Sequence, residues 1–163
     1  MGLDIAAYSG LTKCAQDDDV PSFVAPRNHK HFRGRADEIE PGARYTWEKA
    51  DGFRAGSYGG YNNWREQLAK LAGYPAVAEF EGKPVDQPHS AGAWSAAGGP
   101  FWELIEFTDC DGILGASVCG KLLMDFREFD ERAKAIGGWF YDRYVLWAGA
   151  ALLASQGGAI VFE

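Results

Sequence analysis

Cysteine is scarce in this chain of 163 residues: Cys14, Cys110 and Cys119 are an odd count with no C-x-x-C spacing. That excludes a disulfide framework and a cysteine zinc site, and it fits free thiols in a reducing cytoplasm. Histidine is equally scarce, with His29, His31 and His89 the full set. Two at adjacent-but-one positions and one far away make a poor metal set, and no cysteine has a histidine beside it in sequence. Neither G-x-S-x-G, nor Gly-Lys-Ser/Thr, nor a G-x-G-x-x-G after a strand occurs, so the common nucleophile and phosphate-loop signatures are missing.

Long hydrophobic runs are missing too. The longest uncharged stretch begins at Tyr144, and its apolar part ends at Ala154, well short of the roughly 20 residues a membrane span needs. The opening Met1-Gly2-Leu3-Asp4-Ile5 has no basic or apolar leader, and Ala6 stands where myristoylation wants Ser or Thr. A protein without a membrane association is expected. Positive charge is in the minority, with 16 Lys and Arg against 23 Asp and Glu and a net charge of −7. Such a surface repels polyphosphate at long range, which argues against general nucleic-acid binding.

What the chain does have is glycine (21 residues) and aromatic side chains (14%), within an ordinary globular composition. The length suits one domain over residues 1–163. Leu3–Tyr8 and Arg44–Glu48 read as strands, and Ala159–Phe162 as a closing strand expected to pair with the first. Residues 13–43 are rich in turn formers, and residues 82–100 read as a long loop suited to a lid. Phe101–Phe107 reads as a strand. Helices are expected over residues 63–72, 114–135 and 139–155. The first would be capped by Asn63 with Glu66 in a capping box and stopped by Gly73, and the last would be the buried one. The expected fold class is α+β: about three helices packed on a small, mostly antiparallel sheet, with long Gly/Pro-rich loops.

Three places could carry chemistry. In Phe53–Arg65 a Gly-rich turn precedes a helix, and backbone N–H groups with the helix dipole attract anions there. Arg54 and Arg65 offer guanidinium forks, Tyr58 and Tyr61 offer flat faces, and Ser57 and Asn62 add polar contacts. A small anionic, nucleotide-like ligand suits that set; a tight structural turn is the plainer reading. Glu106, Asp109 and Asp111 gather carboxylates before the long helix, where capping is the plain role and a hard cation or acid–base pair the chemical one. Arg27–Arg35 is the one basic patch, either a solvated loop or a place for an anion or partner protein. No cofactor is expected.

Met1–Ile5 with Ala7-Tyr8-Ser9, Gly34–Ile39, Phe53–Asn62, and Pro100–Ile105 with Asp109-Cys110 together resemble a family of small proteins of tailed phages and prophages. The likeness spans most of the chain and is weakest over residues 13–30 and 80–98. Asp111 stands where that motif is expected to have Glu. The family carries no assigned activity, so the resemblance implies a place of action, the cytoplasm of an infected or lysogenic bacterium, and no catalytic residues. Three functions follow as expectations: a non-enzymatic binder of a small anionic ligand, a module docking on a host protein, or a metal-dependent phosphoester hydrolase using Glu106, Asp109 and Asp111.

Overall fold

The computed structural model describes residues 2–107 and 111–163. In chain order it runs β1 (Leu3–Ser9), β2 (Thr12–Cys14), β3 (Phe23–Val24), a 3-10 turn (Lys30–Phe32), β4 (Arg44–Thr46), β5 (Lys49–Gly56) and α1 (Tyr58–Ala72). Then come β6 (Glu79–Phe80), β7 (Lys83–Pro84), α2 (Pro88–Trp94), α3 (Trp102–Ile105), β8 (Gly112–Gly115), α4 (Ala116–Ile136), α5 (Gly138–Ala154) and β9 (Ala159–Phe162). The class is α+β, with five α-helices among the described residues where about three were expected.

The main sheet has the order β5-β1-β9-β8, and every pairing in it is antiparallel. β1 and β9, from opposite ends of the chain, pair at its centre as the sequence led one to expect. Alternation along each strand divides the core in two. Leu3, Ile5, Ala7, Leu114, Ile160 and Phe162 face α1, α4 and α5, where Trp64, Phe126, Tyr144 and Trp147 complete the larger cluster. Tyr8, Ile113, Ala159 and Val161 face the other way and pack with Tyr45, Ala25 and Ile39 beneath the small sheet β2-β4-β3. Both faces of the sheet are therefore covered at β8 and β9, which is why these strands are buried at every position and read as unbroken apolar runs.

Several boundaries differ from expectation. The segment from Phe53 to Gly56 lies in edge strand β5, not in a loop; its polar, solvent-facing side hides the alternation. Gly52 sits there because a Cβ would lie 2.9 Å from the Ile5 carbonyl oxygen. α1 starts five residues before Asn63, with Ser57 as its cap; burial of Tyr61 offsets the poor helix propensity of Gly59 and Gly60. Gly73, at φ 87°, ends it as expected. Residues 82–100 are no open lid: they contain α2, whose Ser90, Ala91 and Ala93 are fully buried. Gly92 allows that approach, since a Cβ would fall 2.0 Å from the Pro75 oxygen.

The expected strand at 101–107 is the short helix α3. Phe101 holds φ 55° because its N–H donates to Asp125 Oδ2 (2.8 Å) and its ring is packed edge-on by Phe126, Phe129 and Tyr144. Leu114 belongs to β8, so α4 begins two residues later than expected. α5 buries Phe140, Tyr144, Trp147, Ala150, Ala151 and Ala154, yet leaves Trp139, Val145, Leu146 and Leu152 exposed.

Candidate functional site

The expected anion-binding constellation is split by the fold. Arg54 is exposed on β5, 3.8 Å from Asp4 across the strand pair. Ser57 is spent capping α1, accepting from the Gly60 N–H at 3.1 Å. Tyr58 is exposed on the first turn of α1. Tyr61 is buried and stacks on Trp147 with centroids 5.7 Å apart, so neither face is open to a ligand. Burial, opposed by the Arg65 charge, pushes its hydroxyl up to about 12.

Arg65 points inward and is 2% exposed. Its Nη1 donates to the Ile105 and Phe107 carbonyls (2.7 and 3.3 Å) and its Nη2 to Asn62 Oδ1 (2.5 Å), with the guanidinium 4.7 Å over the Tyr61 ring. Burial draws its pKa below the usual arginine value. Arg65 thus satisfies the last carbonyls around α3, work that a buried cation does well when it meets oxygens. Asn62 and Arg65 line one wall of a shallow cleft of about 310 Å³ with Val85, Asp86, Gln87 and Trp94.

The acidic cluster is also divided. Asp109 lies outside the described residues, and Asp111 is exposed immediately before β8. Glu106 accepts from Arg35 Nη2 at 2.8 Å, and the Arg35 guanidinium lies 4.4 Å over the Trp102 ring. Among the described residues no three His, Cys, Asp or Glu side chains gather as a metal site would require. At the start of α4 the Ser117 N–H donates to Glu38 Oε1 at 2.9 Å, a capping contact from an acid outside this cluster.

The basic segment fares differently. Its backbone is strapped to the open edge of β8. Asn28 Nδ2 donates to the Ile113 carbonyl and Asn28 Oδ1 accepts from the Ile113 N–H, both at 2.7 Å, and the Gly115 N–H donates to the Arg35 carbonyl at 2.7 Å. A loop held in this way frames a cleft of about 490 Å³, lined by Arg27, Asn28, His29, Lys30, Arg33 and Asp37 among others. That volume falls in the range of small-ligand sites. Arg27, Lys30 and Arg33 are exposed, and none of their side chains meets an acid among the described residues. Arg35, by contrast, is 6% exposed and structural, so it is no docking residue.

A second cleft of about 480 Å³ adjoins the first through Phe32. His31, Phe80, Glu81, Trp94 and Glu106 complete its walls. Sequence reasoning passed over Phe80, Glu81 and Trp94. The signal was Glu81-Gly82, a two-residue turn with φ of 51° and 75° joining β6 to β7. Comparisons with family models, curated proteins and solved structures returned no match to this chain. Among the described residues no helix is long and apolar enough to cross a membrane.

Proposed function

We propose that this chain is a non-enzymatic accessory protein of a tailed phage or prophage, acting in the host cytoplasm by binding a small phosphate-bearing, nucleotide-like ligand. The observation that supports it is the 490 Å³ cleft ringed by Arg27, Lys30 and Arg33, three exposed cations without acid partners among the described residues. On a chain of net charge −7, such a local field would concentrate a small anion while long nucleic acid is repelled. In this reading the ligand-binding role expected of Arg54, Ser57, Tyr58 and Tyr61 passes to this segment, while Asn62 and Arg65 line a separate cleft.

A thermal-shift titration with pyrophosphate and nucleoside monophosphates tests the reading. A ligand at 100 times its Kd stabilises by about 2.7 kcal/mol, which raises the midpoint of a chain this size by about 5–10 °C. The shift should fall as salt rises and vanish in the double variant Lys30→Glu/Arg33→Glu. No shift with any of these anions overturns the reading. A second reading, docking on a host protein, draws on the exposed Trp139, Val145, Leu146 and Leu152 of α5; it expects capture from host lysate to be lost in Leu146→Lys.

A further inference from the structure

Resting on the anion-binding reading, we infer that the cleft between the β6–β7 turn and Trp94 is a base subsite that selects guanine. It shares Phe32 with the basic cleft, and His31 in its lining stacks at 4.7 Å on His29, which lines the basic cleft. The proposal seats the phosphate of a nucleotide among Arg27, Lys30 and Arg33 and its base in the aromatic cleft that shares Phe32. Phe32, Phe80 and Trp94 supply that cavity, with Phe80 set edge-on to Trp94 at 5.4 Å. Aromatic walls stack every base and do not choose among them.

The choice comes from the polar lining. Glu81 and Glu106 are the acids in its lining, and among the described residues no lysine or arginine lines it. One Glu106 oxygen is held by Arg35, whereas Glu81 has no side-chain hydrogen bond or ion pair among the described residues. An ionised carboxylate only accepts, and its two oxygens match two parallel donors. Guanine alone presents that pair, N1–H beside the 2-amino group. Adenine and cytosine set one amino donor beside a ring nitrogen acceptor, and uracil flanks its N–H with carbonyls, so each turns a lone pair toward the carboxylate. Glu81 is held at φ 51° in the two-residue turn, which ties the start of its side chain to a paired hairpin.

Isothermal titration of the full chain with GMP, IMP, AMP, UMP and ribose 5-phosphate tests this. GMP should bind roughly tenfold tighter than AMP or UMP, with IMP between because it keeps N1–H and lacks the amino group. Glu81→Gln, at an exposed turn, should bring GMP to the affinity of IMP or below. Equal binding of all five ligands removes the guanine subsite and leaves the anion reading standing; a GMP preference that survives Glu81→Gln overturns the assignment of the selection to Glu81. Binding of none of the five, nor of pyrophosphate, removes both.

Discussion

The side-chain amide of Asn28 meets both backbone groups of Ile113, donating to its carbonyl and accepting from its N–H at 2.7 Å each. It stands in for a fifth strand at the edge of the main sheet, where the order ends in β8. Gly112 is part of the same fit, because a Cβ there would lie 2.7 Å from Asn28 Oδ1. One side chain thus closes a buried edge and fixes the base of the basic cleft.

Replacing it tests both roles. Asn28→Ala leaves the Ile113 N–H and carbonyl unpaired and should cost about 2–3 kcal/mol in urea unfolding. Hydrogen exchange at the Ile113 amide should speed up by more than the global loss accounts for, because the edge opens locally. Binding of pyrophosphate should weaken as well, since Arg27 and Lys30 lose their anchor. Unchanged protection at Ile113 would count against the strap.

Arg35 and Glu106 make a comparable tie in charged form. Arg35 is 7% and Glu106 21% exposed at the side chain, so the two partners respond unequally to removal. Glu106→Gln leaves a buried guanidinium without its carboxylate and should cost about 2–4 kcal/mol. Arg35→Met keeps the packing on Trp102 and leaves Glu106 able to reach water, so about 1 kcal/mol is expected. Urea midpoints of the two variants, at matched slope, decide the order. Equal costs would mean that the unequal burial of the two partners does not set the penalty.

These ties show where sequence reading stops. β1, β9 and the apolar faces of α1 and α4 were legible because their periodicities are local and their partners generic. Glu66 was legible as a capping residue, and wrongly assigned: it caps α2 through the Ser90 and His89 N–H groups at 2.8 and 2.9 Å, and not its own helix. Glu38, Asn28 and Arg65 likewise satisfy backbone groups 79, 85 and 40 residues away. No window of sequence displays such a pairing. The basic segment could be seen as a patch, while its becoming a cleft depended on what Asn28 and Arg35 grip. Hairpin β6–β7 is only two residues a side, too short to show alternation.

The Glu66 cap gives a pH dependence with a definite sign. Burial raises the pKa of this carboxyl, and the hydrogen bonds from Ser90 and His89 more than offset it, leaving the folded value below the ordinary 4.5. A depressed folded pKa contributes stability that is fully present above the unfolded value and is lost as pH falls through the folded one. The stability gap between the wild type and Glu66→Gln should therefore shrink as pH falls below about 4.5. His89 Nδ1 also lies 2.7 Å from Glu66 Oε1, so the comparison is made in a His89→Gln background. A gap that widens below about pH 4.5 there would contradict the cap. Because α2 carries Trp94, loss of the cap should also lower the affinity of any ligand in the aromatic cleft.

Two buried tyrosines of the same core make opposite predictions. Tyr144 Oη donates to the Phe126 carbonyl at 2.8 Å, whereas Tyr61 Oη, equally buried, has no hydrogen-bond partner among the described residues. Removing a satisfied hydroxyl discards its bond and leaves a carbonyl short, so Tyr144→Phe should destabilise by about 1–2 kcal/mol. Removing an unsatisfied one discards only a desolvation penalty, so Tyr61→Phe should be neutral or stabilise by up to about 1 kcal/mol. The ring of Tyr61 would keep its stacking on Trp147 and its place under Arg65. Thermal melts of the two single variants and the double variant separate the terms. A clear loss in Tyr61→Phe would mean that its hydroxyl has a partner in solution, with an ordered water the group to examine first.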